Sequence, residues 1–127
     1  MREKELFEYA VIRVIPRVER EEFLNVGVIL YCPAQDFLQS AFELHEERLC
    51  TLAPDLTISE IKEHLLAFER ICAGGAEAGT IGALPPGERF RWLTAPRSTI
   101  VQTSPVHTGL CSDARETLAR LLAKLVR

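Results

Sequence analysis

The N-terminal third of the chain alternates apolar and polar positions in a way that predicts three consecutive β-strands. Residues 6–15 (LFEYAVIRVI) are rich in β-branched and aromatic side chains, and Pro16 ends the run because it lacks a backbone N–H. Residues 23–32 (FLNVGVILYC) are apolar on both faces, which is typical of a central strand. Residues 33–36 offer turn chemistry, and residues 37–44 (FLQSAFEL) follow as a third strand. Short links between these strands predict an antiparallel meander.

Two amphipathic helices are indicated further along the chain. The first begins at Thr57, where TISE matches a capping box, and Gly74 and Gly75 supply residues that can end it. Its apolar stripe comprises Ile58, Ile61, Leu65, Phe68 and Cys72. The second follows the cap residue Asp113, with a stripe of Leu118, Leu121, Leu122, Leu125 and Val126. A shorter helix is predicted over residues 46–52.

Residues 88–98 (ERFRWLTAPRS) interleave arginines with aromatic rings. We interpret residues 89–93 as a strand, which would turn Phe90 and Trp92 inward and the arginines outward. Residues 98–103 are predicted to be a further strand or an extended segment. The alternative is a surface for single-stranded nucleic acid, where arginines contact phosphates beside stacking rings. The net negative charge of the chain favours the strand interpretation.

These elements predict an α+β fold. Strands and helices are segregated, so we expect an antiparallel sheet of four or five strands with two main helices packed on one face. A length of 127 residues predicts a single domain, residues 1–127. No alternating strand–helix–strand pattern and no glycine-rich phosphate loop is present, which argues against a doubly wound nucleotide-binding fold.

Charge and cysteine content narrow the class of partner and the compartment. The chain carries 15 Lys and Arg against 18 Asp and Glu, a net charge of −3, which argues against binding to duplex nucleic acid. Its most apolar uncharged stretch, residues 23–35, falls short of the roughly 18 residues that a membrane span needs. The start of the sequence lacks the pattern of a signal peptide. Four cysteines without a CxxC pair predict free, mostly buried thiols in a reducing cytoplasm.

Polar residues in two regions are candidates for a ligand site. Asn25 and Gly27 interrupt an apolar strand, either to let a ligand approach or to form a bulge or close packing contact. Arg13 lies inside the first strand, where it can anchor an anion or pair with an acid such as Glu22. The second region is residues 98–112, which carry six hydroxyl side chains and, apart from a protonated His107, no charge.

Together these regions predict a phosphate or carboxylate site. Its candidate residues are Arg97, Ser98 and His107, with Arg13 or Asn25 contributing from the first two strands. A Ser98–His107–Asp113 triad can be written, but no GxSxG elbow supports hydrolysis. The histidines have no metal-ligand spacing, so we expect no metal and no cofactor.

Three segments, FEYAVIRVIP, EEFLNVGVIL and RFRWLTAPRSTIVQTSPVHTGL, carry a family resemblance. From Tyr9 to the C-terminal helix, the chain resembles a bacterial domain-of-unknown-function family, number 3037. The residues on the family's motif positions are Tyr9, Arg13, Glu22, Asn25, Gly27, Arg97, Ser98 and His107. The resemblance implies a small cytosolic bacterial protein of uncharacterised activity, encoded in some genomes next to a toxin-type protein kinase. It supplies no catalytic residues.

Two hypotheses for function follow. The first is a non-catalytic interaction or accessory module that acts through a protein partner, such as a nearby-encoded toxin-type kinase, or through a homodimer. The second is a domain or enzyme that handles a phosphate-bearing small molecule or nucleic acid at the Arg/Ser/His site, with His107 able to exchange protons near neutrality. The sequence alone leaves open whether the chain is an enzyme.

Overall fold

Five strands form one antiparallel sheet in a computed structural model, which describes residues 3–16, 22–55, 57–97 and 99–127. They are β1 (Glu5–Val14), β2 (Leu24–Cys32), β3 (Phe37–Phe42), β4 (Val101–Thr103) and β5 (His107–Cys111). The first three pair in the order β3-β2-β1, so the predicted meander is confirmed. On the other side of β1, β5 pairs along residues 5–9 and β4 along residues 12–14. N-terminal and C-terminal parts of the chain therefore meet at β1.

Five helices accompany the sheet in these described ranges: α1 (Glu46–Leu52), α2 (Ile58–Ala73), α3 (Gly79–Gly82), α4 (Pro86–Thr94) and α5 (Ala114–Leu125). The two predicted amphipathic helices are present as α2 and α5. Thr57 precedes α2 without the predicted side-chain cap. Asp113 does cap α5, because its carboxylate accepts from the Glu116 backbone N–H at 3.2 Å. The antiparallel sheet with separate helices confirms the α+β class.

The helices cover both faces of the sheet, which differs from the expected placement of the two main helices on one face. α2 and α4 pack on the face that β1 forms with Ala10 and Ile12, termed face one. α5 packs on the opposite face, termed face two, against Val28 and Leu30 of β2. Helices pack on both faces because β2 has apolar side chains on each face, and burying both sets requires a packed element on each side of the sheet.

The predicted strand over residues 89–93 is wrong, because this segment belongs to the helix α4. Pro86 lies in the first turn of α4, where backbone N–H groups have no helical acceptor, so the lack of an N–H in proline costs no hydrogen bond. Phe90 is buried as expected, but Arg89 is only 8% exposed and Trp92 is 40% exposed, the reverse of what strand alternation predicts. The polar–apolar alternation in residues 89–92 covers only four residues, which is about one helical turn, so it does not distinguish a helix from a strand. Of the second predicted segment, residues 98–103, Val101–Thr103 forms β4 and Ser98 lies outside the described residues.

We expect Leu65→Ala to lower the free energy of unfolding by about 2–5 kcal/mol. Leu65 is fully buried on α2 between Ile61 and Phe68, in the face-one core, so truncation leaves a cavity. Denaturant unfolding measures the change. Leu66→Ala is the matched control, since Leu66 is exposed on the same helix and its truncation should change stability by less than about 0.5 kcal/mol. Equal effects of the two substitutions would contradict the packing of α2.

Candidate functional site

β4 and β5 form one interrupted strand along β1, with residues 104–106 at the break. Ser104 is buried, and its backbone N–H donates to the Val11 carbonyl at 2.8 Å. The Val11 N–H in turn donates to the Ser104 hydroxyl at 2.9 Å. The hydroxyl replaces the carbonyl that a regular strand would offer, so both backbone groups of Val11 are satisfied. β5 thus stays paired to β1 despite the break.

The outer side of β5 is an uncharged sheet edge. Residues 99–112 contain no Lys, Arg, Asp or Glu, and no strand within the described ranges pairs with that side. Leu110 is 60% exposed, and its cross-strand neighbour Leu6 is 56% exposed. Alternation along β1 places both leucines on face one, together with the exposed Thr108. The unpaired backbone N–H and C=O groups of an edge strand are a template for strand pairing, and neither a charge nor a polar side chain at the leucines opposes it.

Aromatic rings lie on face two of the same edge. Tyr9 pairs with His107 across the strands, and their ring centres are 5.3 Å apart. The Phe7 ring lies 5.8 Å from that of Tyr9 and packs against Gly109 of β5. The β5 edge surface is defined as Leu6, Tyr9, His107, Thr108 and Leu110.

An ion pair borders the β5 edge surface on face one. Arg91 of α4 donates to both carboxylate oxygens of Glu8, at 2.7 and 3.1 Å. This hydrogen bond, together with the negative charge of Glu8, raises the pKa of Arg91. Glu8 is the cross-strand neighbour of Thr108, so the Glu8–Arg91 ion pair lies next to the edge strand β5. Because the two charges neutralise each other, no net charge borders the edge at this point.

The opposite edge of the sheet, β3, has a different surface. None of the six β3 side chains is exposed, whereas His107, Thr108 and Leu110 are exposed on β5. α2 packs against β3, and α5 packs against it as well. The helices therefore shelter the side chains of β3 and leave those of β5 open to a partner.

Two of the predicted site residues, Arg13 and Asn25, are brought together. They are direct cross-strand neighbours on face two. The Asn25 side-chain amide donates to the Leu125 carbonyl in the last turn of α5 at 3.1 Å. The Arg13 guanidinium lies 4.1 Å from the centre of the Phe23 ring. Arg13 Nε and Asn25 Oδ1 are buried and, within the described part of the chain, have no hydrogen-bond partner.

The other three predicted residues do not join them. Arg97 follows α4 on the face-one side, where its guanidinium lies 4.4 Å from the Trp92 ring centre and donates to the Trp92 carbonyl. His107 lies on face two beside Tyr9. Ser98 falls outside the described residues. The sheet therefore separates Arg97 from His107, and binding by any of these residues stays a prediction.

One open cleft of about 560 Å³ lies at the start of α5. Its lining residues are Glu3, Glu5, Gln35, Ser112 and Asp113. The Gln35 amide nitrogen donates to Glu5 and to the Ser112 carbonyl, while its oxygen accepts from the Ala114 N–H at 2.9 Å. Three carboxylates in this cleft oppose the binding of a phosphate.

Three of the four free cysteines are buried: Cys32, Cys72 and Cys111. Burial raises the pKa of Cys72 to about 11. Burial, followed by the neighbouring Cys32, also raises the pKa of Cys111. The prediction of mostly buried free thiols is confirmed, and Cys50 is the exception because it is exposed.

We expect a thiol reagent to modify one cysteine rapidly in the native protein and three more only on unfolding. The reactive species is the thiolate, and burial keeps Cys72 protonated at neutral pH. The kinetics of reagent consumption at neutral pH measure both phases. Cys50→Ser should abolish the fast phase, and two or more fast thiols in the native protein would contradict the buried positions.

The described ranges contain neither a group of metal ligands nor a helix that could span a membrane. Among the residues that the structure describes, no three His, Cys, Asp or Glu side chains group as metal ligands would. None of the helices formed by these residues is both long and apolar enough to cross a membrane.

Sequence reasoning missed the leucines of the β5 edge surface. Leu6 and Leu110 are far apart in the sequence, and only the pairing of β1 with β5 makes them neighbours. A signal does lie in residues 98–112, whose lack of formal charge suits an unshielded sheet edge as well as an anion pocket.

Comparison with known proteins gives one match. A family model described as a protein of unknown function, DUF3037, matches residues 9–126. No curated protein and no solved structure matches the chain.

Proposed function

Since the chain belongs to the DUF3037 family, whose description assigns no activity, we propose that it is a non-catalytic module that binds protein through the β5 edge surface. The observation that carries the proposal is the pair of exposed leucines, Leu110 on the uncharged edge strand β5 and Leu6 beside it on β1. Natural edge strands are usually protected by lysine, proline, a bulge or a covering element. An edge without a charge or a cover favours addition of a strand from another protein.

Side chains and backbone have separate roles in this proposal. The outer N–H and C=O groups of β5 supply hydrogen bonds to the added strand. Leu6 and Leu110 supply apolar contact on face one, and Tyr9 and His107 supply ring surfaces on face two. The Glu8–Arg91 ion pair next to Thr108 borders the contact on face one.

The proposed setting is the cytosol of a bacterium, where the buried thiols stay reduced. A toxin-type protein kinase encoded nearby is a candidate partner, on the family resemblance described above. Another copy of the chain is the other candidate.

Affinity capture from the source cells with three forms of the protein tests the proposal. Leu110→Lys places a charge on the edge, and Leu66→Lys places the same charge on an exposed leucine of α2, away from the β5 edge surface. With chemical cross-linking before capture, so that weak complexes are retained, we expect the wild type and Leu66→Lys to recover the same protein in equal amount, and Leu110→Lys to lose it. Equal recovery by all three forms, or no recovery by any, would overturn the proposal.

A second candidate function is binding of a small anion at Arg13 and Asn25. The unpartnered Arg13 Nε favours it, because Nε is a buried donor and buried donors without a hydrogen bond are uncommon in folded proteins. A phosphorylated ligand at a hundred times its dissociation constant should stabilise the fold by about 2.7 kcal/mol. A thermal-shift series with inorganic phosphate and nucleotides, repeated with Arg13→Met, tests this. No shift, or a shift that Arg13→Met retains in full, would exclude the site.

A further inference from the structure

The β5 edge surface can pair with the same surface of a second copy of the chain. A strand that pairs with itself about a twofold axis is antiparallel, and every pairing in this sheet is antiparallel. Residues 99–112 contain no Lys, Arg, Asp or Glu, so self-pairing of β5 places no like charges opposite each other. Among these residues, only His107 can carry a side-chain charge near neutral pH.

The side chains on face one are also self-complementary. Leu110 lies on the edge strand β5 and Leu6 lies on β1, the strand next to it. A twofold axis through the outer side of β5 brings the two leucines of each copy into one apolar cluster of four. Thr108, on the same face, flanks the cluster without adding a charge.

The two edges of the sheet favour closed pairing over open pairing. Pairing of β5 with β3 of the next copy would be heterologous and would continue into a filament. The β3 side chains are buried or half-buried and α2 and α5 pack on its two faces, so β3 offers another copy less side-chain surface than β5 does. Pairing of β5 with β5 uses the exposed edge of both copies and closes at two.

From these observations we infer that the occupant of the β5 edge surface is a second copy of this chain, which forms a twofold dimer with one continuous ten-stranded sheet. The inference rests on the proposed function, because it names the partner at that same surface. β5 has five residues, and stable interfaces bury about 800 Å² per partner. Because a five-residue edge is short for such an interface, we expect a weak dimer with a dissociation constant in roughly the micromolar range.

Sedimentation velocity over a micromolar concentration series tests the dimer. We expect the wild type and Leu66→Lys to pass from monomer to dimer with the same dissociation constant. Leu110→Lys should raise that constant by roughly tenfold or more, because it brings two lysine charges into an apolar contact. Thermal unfolding of Leu110→Lys should match that of the Leu66→Lys monomer, since both positions are exposed. A wild type that stays monomeric, or a Leu110→Lys protein that dimerises like the wild type, would overturn the inference.

Hydrogen exchange gives an independent measurement of the contact. The amides of residues 107–111 that point away from β1 should gain protection as the wild type dimerises and should not gain it in Leu110→Lys. Protection that appears elsewhere while these amides stay unchanged would also overturn the inference.

The failure of the inference and the failure of the proposed function are distinguishable. A monomeric wild type that still captures a different protein through Leu110 refutes the second copy and leaves the interaction module intact. A monomeric wild type with no capture that depends on Leu110 refutes both.

Discussion

Gly27→Val should destabilise the protein by about 4 kcal/mol or more, because the substitution forces β3 away from β2. Gly27 lies opposite Phe42 in the sheet. A Cβ at position 27 would lie 2.6 Å from the Ala41 carbonyl oxygen and 2.9 Å from the Phe42 Cβ. Both atoms belong to or adjoin the backbone, so a change of rotamer cannot relieve the overlap. Denaturant unfolding monitored by circular dichroism measures the loss.

A matched control separates this overlap from a general effect of valine in a strand. Thr108→Val places valine at an exposed strand position of β5 and, at a protein concentration low enough to keep the chain monomeric, should change stability by less than about 0.5 kcal/mol. An unfolding midpoint of Gly27→Val within experimental error of the wild type would contradict the close approach of β3.

Arg89→Met should lower the free energy of unfolding by about 3–5 kcal/mol. The buried guanidinium donates to three carbonyls: Nε to Leu84 at 2.9 Å, and one terminal nitrogen to Ile71 at 2.7 Å and Cys72 at 2.6 Å. Ile71 and Cys72 lie in the last turn of α2, whose carbonyls have no helical partner and form the negative end of the dipole. Methionine fills similar volume but leaves these oxygens without a donor.

The neighbouring arginine provides the control. Arg91→Met removes the exposed ion pair with Glu8 and should lower stability by less than about 1 kcal/mol. Gly74→Ala tests the same contact from the other side, since Gly74 has a φ of 76° and an added Cβ would lie 2.9 Å from the Arg89 guanidinium. Similar losses for Arg89→Met and Arg91→Met would refute the role of Arg89 in ending α2.

β1, β2 and the two amphipathic helices could be predicted because each spans enough residues to establish a period. β5, with only five residues, was not predicted as a strand. β1 and β2 contain ten and nine residues, and α2 contains sixteen. α4 could not be predicted in this way, because the alternation in residues 89–92 is too short to separate the two periods. The buried position of Arg89 depends on carbonyls of α2 and of Leu84, which local sequence does not reveal.

The alternatives at the Asn25–Gly27 motif have structural counterparts. Gly27 is the site of a close backbone contact, with β3 as the neighbour. A register shift between β1 and β2 occurs beside it, at Ile12 and Arg13. Asn25 ties β2 to the end of α5 through the Leu125 carbonyl. The sequence showed that the motif was unusual, but its packing partners come from parts of the chain that only the fold brings near.

The candidate ligand site was harder to predict because proximity in sequence did not become proximity in space. Arg97 and His107 are ten positions apart, yet Arg97 lies beside α4 on face one, whereas His107 lies in β5, after the break, with its side chain on face two. Arg13 and Asn25 became neighbours because the short link between β1 and β2 fixes an antiparallel pair.

The pairing of β1 has a consequence for synthesis on the ribosome. One edge of β1 is completed by β2, which follows closely, but the other is completed only by residues 101–111, which come much later in the chain. Until that segment emerges, Ala10, Ile12 and Val14 belong to a strand with one open side. Such an edge is prone to wrong pairing, and contacts so distant in sequence slow folding. The nascent chain therefore passes through a stage in which β1 is paired with β2 and its other edge is open to incorrect partners.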